Sequence, residues 1–362
     1  MHLSRFYKKP LNAMRFLLAK IKYDFSQNDT VVSSFAFSEL DYLVLVKWDG
    51  KLGDTEVVSG FLKILKDKLP ELNIIVICPK AVKSLYQDYC QIDQVIESPK
   101  RPDSKTIRKI ITQIGPIGSN GLLVSTEVFC RPRDLQLFYA LKPRYIAGFD
   151  DRLHSVNINL IKRNPNSHLV QYFSDLLTLG QLTDFDYSYV RFFATTQPEK
   201  LSTLFAGEKK YIGLVPYGAA KSKRLSNKVI MQIYDFLIRN TDFTIVPFIM
   251  NKEVKARSEL LCRIDPRRTV FLPEMTVEEL AAATAKLSAL ISVDTANIHL
   301  ATACHIPILG FYNDNAPEVI RWSPGPCAHK LSSYLVVNGK NISAINYNDI
   351  KESVEAFVRS IL

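Results

Sequence analysis

The sequence predicts an α/β protein made of two halves, each a parallel sheet covered by helices. Three observations carry this. Short apolar runs alternate with helix-period segments from residue 41 to residue 148, a rhythm that gives βαβ units. The same alternation restarts at Tyr211-Ile212-Gly213-Leu214-Val215. The chain of 362 residues is long for one ordinary core and suits two domains. The divisions fall at 1–34 (a basic amphipathic segment), 35–200 (the first α/β domain), 201–345 (the second) and 346–362 (a closing helix).

In residues 1–34, Lys8, Lys9, Arg15, Lys20 and Lys22 interleave with Leu11, Met14, Leu18, Ile21 and Phe25. The apolar positions lie three and four apart and make one helical stripe. Such a helix either lies on an anionic membrane or docks on its own domain through that stripe. Residues 41–46 read as a buried strand, and the loop from Lys47 to Thr55 leads to a helix over 57–69, ended by Pro70. A strand over 73–78, a helix over 81–89, a short strand at Val95-Ile96 and a helix over 105–114 follow. The half closes with a strand over 122–125, a helix over 135–141 and a strand over 145–148. Residues 150–205 are less regular, with a helical segment over 170–179.

The second half opens with a strand over 211–215, a loop over 216–226, a helix over 228–239 and a strand over 243–248. A helix over 254–262 and a strand over 270–272 come next. Thr276, three residues before Glu279, makes a capping box for a helix over 276–286. A strand over 287–293, a helix from near Ala296, a strand over 308–312 and a helix over 350–361 complete the chain.

The net charge of +10 favours anionic partners such as nucleotides, phosphorylated glycans or acidic lipid. No zinc-finger spacing or aromatic-rich basic motif points to nucleic acid. The six cysteines are far apart with no CxxC pair, as expected of free thiols in a reducing cytosol. No apolar run approaches the ~18 residues of a membrane span, and the N-terminus lacks the features of a secretory signal.

Three places can carry chemistry. Ser292-Val293-Asp294-Thr295-Ala296-Asn297-Ile298-His299 joins a strand to a helix start, whose free N–H groups and dipole suit a phosphate. Thr295 and the N–H groups after it suit that role; Asp294 suits sugar hydroxyls or the geometry of the turn, and His299 lies one turn into the helix. In the loop after residues 211–215, Gly218 precedes Ser222, Lys223 and Arg224, and cations beside backbone N–H groups suit a diphosphate. Asp54, after Gly53, lies at the end of the first strand, where a carboxylate can act as a general base or merely cap the next helix. Neither GxGxxG nor the Walker spacing is present, which argues against NAD and ATP hydrolysis. Asp184-Phe185-Asp186 lacks the flanking strand of a DxD metal motif, and no HExxH or Cys/His cluster suggests a catalytic metal. Two α/β halves with polar loops of this kind suggest group transfer from a nucleotide-activated donor.

Lys51-Leu52-Gly53-Asp54, Gly218 with Ser222-Lys223-Arg224, and Asp294-Thr295-Ala296-Asn297-Ile298-His299 backed by Ile306-Pro307-Ile308-Leu309-Gly310 give the chain its resemblance. It resembles the ADP-heptose:lipopolysaccharide heptosyltransferases of glycosyltransferase family nine, above all the outer-core members, over roughly residues 41–330. The resemblance implies a GT-B fold: two Rossmann-like domains facing an interdomain cleft, acceptor side first and donor side second. It implies inverting transfer without metal or other cofactor, from ADP-heptose to a sugar hydroxyl of the lipopolysaccharide core. Asp54 would be the general base, Lys51 and Gly53 would lie at the acceptor, and Gly218, Ser222, Lys223, Arg224, Asp294, Thr295, Ala296 and His299 would bind the donor. The enzyme would work in the cytoplasm, peripheral on the anionic inner membrane. Two departures stand out: Ala296 where the family commonly has glycine, and Leu225-Ser226 where it commonly has Trp-Pro. Another nucleotide-sugar donor therefore stays open, as does a noncatalytic glycan-binding role.

Overall fold

The computed structural model describes residues 3–24, 32–193, 199–249 and 262–362. Phe25 and all of the expected helix over 254–262 except Cys262 lie outside the described residues. The chain divides into two compact units. The first comprises Met1–Lys51, Phe61–Ser167 and Gln171–Tyr187; the second comprises Leu52–Gly60, His168–Val170 and Ser188–Leu362.

The first unit begins with helix α1 (Leu3–Tyr23) and strand β1 (Tyr42–Val46). Helix α2 (Leu52–Lys68) starts five residues before the expected position and contributes its last turns to this unit. Then follow β2 (Asn73–Cys78), β3 (Gln94–Glu97), α3 (Ser104–Ile114), β4 (Gly121–Ser125), α4 (Pro132–Leu141) and β5 (Tyr145–Gly148). A two-residue strand β6 (Ile158–Asn159), a short helix α5 (Leu160–Arg163) and α6 (Leu169–Leu179) complete it. The expected helix over 81–89 forms as an irregular one: a 3-10 turn at Lys80–Val82 leads into a π-helical turn at Leu85–Tyr89.

The six-stranded parallel sheet has the order β3-β2-β1-β4-β5-β6 among the described residues. β1 lies at its centre, running Tyr42↔Asn73 to Val46↔Ile77 against β2 and Tyr42↔Gly121 to Val46↔Ser125 against β4. Leu43, Val44, Leu45 and Val46 have no exposed surface, as expected of a strand covered on both faces. The chain moves to one side of β1 for β2 and β3 and returns to the other for β4. That reversal leaves a crevice at the carboxyl ends of β1 and β4.

The second unit carries α7 (Glu199–Leu204), β7 (Tyr211–Val215), α8 (Asn227–Asn240), β8 (Thr244–Pro247), α9 (Val277–Thr284) and β9 (Ala289–Val293). It continues with α10 (Ala296–Ala303), β10 (Ile308–Asn313), α11 (Ala316–Trp322), β11 (Ser333–Val337) and α12 (Lys351–Ile361). Thr276 caps α9 in the expected box: its hydroxyl accepts from the Glu279 N–H, and Glu279 accepts from the Thr276 N–H. The parallel sheet has the order β11-β10-β9-β7-β8. The expected strand over 270–272 does not form; one bridge, Ile245↔Thr269, marks its place on the outer side of β8. Here the strand order reverses between β7 and β9, and their carboxyl ends carry the loop after Val215 and the turn at Asp294.

Candidate active site

The reversal between β7 and β9 brings together residues 71 apart in sequence: the Lys223 ammonium is paired with an Asp294 carboxylate oxygen. The loop is held for this by backbone contacts. The Gly218 N–H donates to the Lys223 carbonyl at 2.7 Å, and Arg224 Nε donates to the Gly218 carbonyl at 3.0 Å. A Cβ on Gly218 would lie 2.7 Å from Lys223 Cβ and 2.8 Å from its carbonyl oxygen, so the close approach requires glycine. Ser222 Oγ accepts from Asn313 Nδ2 at 3.5 Å, tying the loop to the end of β10. Thr295 is the N-cap of α10, and its hydroxyl accepts from the Asn297 N–H at 3.3 Å. That hydroxyl is thus engaged, while Ala296 opens the helix.

The first turn of α2 belongs to this same unit. Lys51 is its N-cap and Asp54 sits inside the first turn, so Asp54 is not the capping residue. Its charge opposes the positive end of the helix dipole. Gly53 makes the packing possible: a Cβ there would come 2.6 Å from His299 Cδ2 and 3.5 Å from Ala296 Cα. The start of α2, with Asp54, therefore lies against the start of α10. His299 itself is buried, with Tyr189 and Trp322 rings at 6.3 and 6.0 Å. Burial lowers its pKa to about 3, with nearby His168 adding to the shift, so the ring is neutral at pH 7. His168 is held neutral in the same way, at about 4, with Nε2 3.0 Å from the Ser323 carbonyl.

One turn beyond Gly53, Glu56 has no exposed surface, and neither carboxylate oxygen has a hydrogen-bond partner among the described residues. Burial pushes its pKa well above the usual carboxylate range, which keeps it protonated. Cys304, beside it at the end of α10, is pushed up to about 12 by burial and by the neighbouring carboxyl. Neither Glu56 nor His168 was among the expected site residues. The available signal for Glu56 was its helical spacing, three residues after Gly53 and directly before Val57 and Val58.

In the first unit, Lys51 is exposed at the end of the loop after β1 and pairs with Asp49 at 3.3 Å. Also at this strand end, buried Trp48 donates its indole N–H to Asp134, and Arg133 lies 4.9 Å over the indole ring. Glu127, in the loop after β4, has a raised pKa from burial and from the charge of Asp134. Sequence reasoning passed over this cluster, although Trp48 is one of only two tryptophans and stands in a polar loop. Asp184 and Asp186 are exposed. No group of three or more His, Cys, Asp or Glu among the described residues is placed to hold a metal ion. Cys78, Cys90 and Cys130 are buried, Cys304 and Cys327 are half-buried, and Cys262 is exposed.

Two Rossmann-like units of this kind make a GT-B fold. The sequence profile of glycosyltransferase family 9 (heptosyltransferase) matches residues 136–350, more than half of the chain. The chain belongs to this family and is a glycosyltransferase. It is 24% identical to the "Putative lipopolysaccharide heptosyltransferase 4" of Escherichia coli (strain K12), over 98% of each chain. Among solved structures it is similar to a family 9 glycosyl transferase from Veillonella parvula, with TM-score 0.65 and 14% identity over 92% of this chain and 100% of that one. It is also similar to E. coli heptosyltransferase WaaC with ADP-2-deoxy-2-fluoro heptose, with TM-score 0.63 and 14% identity over 87% of this chain and 99% of that one.

Proposed function

We propose that the chain transfers heptose from ADP-heptose to a sugar hydroxyl of the lipopolysaccharide core, with inversion and without a metal. The observation that supports this reading is the packing of Gly53 against His299 and Ala296, which brings the helical turn that carries Asp54 against the helix start that would receive the donor. The acceptor oxygen attacks the anomeric carbon from the face opposite the diphosphate, and the bond from that carbon to the phosphate oxygen breaks. Asp54 takes the hydroxyl proton, and the electron pair leaves with ADP. Lys223 and the N–H groups at the start of α10 stabilise the charge on the diphosphate, the largest electrostatic need of such a step. Donor phosphates compete with Asp294 for Lys223, which frees the Asp294 carboxylate to accept from sugar hydroxyls.

In this reading residues 35–200 take the acceptor, with Lys51 and Gly53 beside it, and residues 201–345 take the donor. Gly218 sets the phosphate loop; Ser222, Arg224 and Thr295 complete its polar rim; and neutral His299 supports the turn. The donor is a cytoplasmic nucleotide sugar and the acceptor is an anionic glycolipid, so the enzyme works in the cytoplasm at the inner face of the membrane. No helix among the described residues is long and apolar enough to cross a bilayer.

The test is Asp54→Asn. Loss of a general base lowers kcat by about 10²- to 10⁴-fold, while calorimetric binding of the ADP-sugar stays within about twofold. Near-normal turnover removes Asp54 from this role. Because Ala296 narrows the space at the donor turn, titration with ADP-, UDP- and GDP-sugars belongs to the same experiment; preference for a UDP- or GDP-sugar would replace the donor named here.

A further inference from the structure

Helix α1 docks on the first unit by the face that carries Phe16, Ala19 and Tyr23. Phe16 and Tyr23 pack against the core of that unit, and Ala19 is buried. The Arg152 guanidinium lies 4.4 Å over the Phe16 ring, and Tyr23 meets Tyr139 with centroids 5.5 Å apart. The Lys20 ammonium donates to the Arg152 carbonyl. Asp24, just past the helix, accepts from the His154 and Ser155 N–H groups at 3.0 and 2.8 Å and from the Ser155 hydroxyl at 2.7 Å. The helix is therefore fixed in its rotation about its own axis.

That rotation points the apolar stripe away from the protein. Leu11, Met14, Leu17, Leu18 and Ile21 are 42, 53, 56, 59 and 67% exposed. At 100° per residue they span an arc of about 120° opposite the docked face. Two aromatic side chains near the docked face are also open to solvent. Phe129, 66% exposed, lies 5.2 Å from the Arg152 guanidinium that covers Phe16, and Tyr139 is 48% exposed. Water gives no reason to order a helix with this face outward, and a contiguous apolar patch of this kind marks an interaction surface.

The charge selects the occupant. Residues 1–23 contain Arg5, Lys8, Lys9, Arg15, Lys20 and Lys22 and no Asp or Glu. On the helical wheel Arg15 and Lys22 flank the stripe on one side. A second copy would bring the same cations against them, whereas anionic head groups neutralise them. Exposed aromatic side chains beside the helix suit the interfacial layer.

We propose that Leu11, Met14, Leu17, Leu18 and Ile21 form a surface that seats the chain on an anionic phospholipid bilayer, the helix lying in the plane of the interface. It deepens the reading above, in which the acceptor is a glycolipid, but the contact itself does not depend on catalysis.

Full-length protein is sedimented with vesicles of phosphatidylcholine alone and of phosphatidylcholine with one part in three phosphatidylglycerol. Wild type binds the anionic vesicles at least about tenfold more strongly than the neutral ones. The double variant Leu18→Glu/Ile21→Glu, at positions that touch no core, loses binding to anionic vesicles by at least about tenfold. Transfer to a delipidated, soluble core oligosaccharide is unchanged in that variant. Wild type remaining in the supernatant with both vesicles, or a variant that sediments like wild type, overturns the proposal. So does a wild-type dimer in analytical ultracentrifugation that the variant dissociates, which assigns the stripe to a second copy. If neither protein transfers heptose while wild type still binds anionic vesicles, the functional reading fails and the membrane surface stands.

Discussion

Gly53→Ala tests how the start of α2 is held against the start of α10. An ordinary carbon contact is about 3.6 Å, and the new methyl would begin 2.6 Å from His299 Cδ2. The His299 ring cannot turn away freely, because it is buried with Tyr189 and Trp322 around it. Relief must come from a shift of about 1 Å between the two helix starts. Overpacking of this kind costs about 1–3 kcal/mol, against a helix-propensity gain for alanine of about 0.5–1 kcal/mol. The net expectation is a loss of about 0.5–2 kcal/mol in urea unfolding. Because a misplacement of about 1 Å can cost on the order of 10²-fold in rate, kcat for transfer falls by about 10- to 100-fold at saturating donor. The sign of the alanine effect reverses in a His299→Ala background, where the clash is gone and the propensity gain remains. The cycle then shows a coupling of about 1–3 kcal/mol, the overpacking term itself. The steric reasoning fails if Gly53→Ala keeps wild-type stability and turnover, or if its effect is the same in both backgrounds.

Glu56→Gln removes a buried carboxyl whose pKa is raised, so the native state stays protonated above pH 4.5 while the unfolded chain ionises. The variant gains on wild type by about 1.4 kcal/mol per pH unit as pH rises above about 5, until the native group titrates, and the two converge below pH 4.5; parallel stability curves would refute this. His168 and His299 act in the opposite direction. Their pKa values of about 4 and about 3 keep them neutral when folded, so stability is present above about pH 6.5 and is lost as pH falls. In the Glu56→Gln background, denaturant curves should lose about 4 kcal/mol between pH 7.5 and pH 5 from the two rings, and His168→Asn should remove about half of that slope.

Several features were legible because they are local. Strands such as Leu43–Val46 are short apolar runs, and a run of that kind has one stable place in a helix-covered parallel sheet. The Thr276–Glu279 box and the helix start after Asp294-Thr295 are settled within a few residues. In the candidate site, residue types and strand-end positions were readable, but the pairing of Lys223 with Asp294 was not. It depends on which strand ends the sheet order makes adjacent.

The remainder was decided by packing. Gly53-Asp54 reads locally as loop, yet α2 begins at Leu52, and contact with α10 outweighs the weak helix propensity of glycine. Glu56 reads as a surface residue and is sealed from solvent, because its exposure depends on what packs over the helix and not on its own neighbours in sequence. The α1 stripe shows the division most plainly. Its period was fixed by the sequence, but a stripe can face a core or a bilayer. The docking of Phe16, Ala19 and Tyr23, with Asp24 bound by Ser155, turned it outward. Periodicity sets which residues share a face; long-range contacts set where that face points.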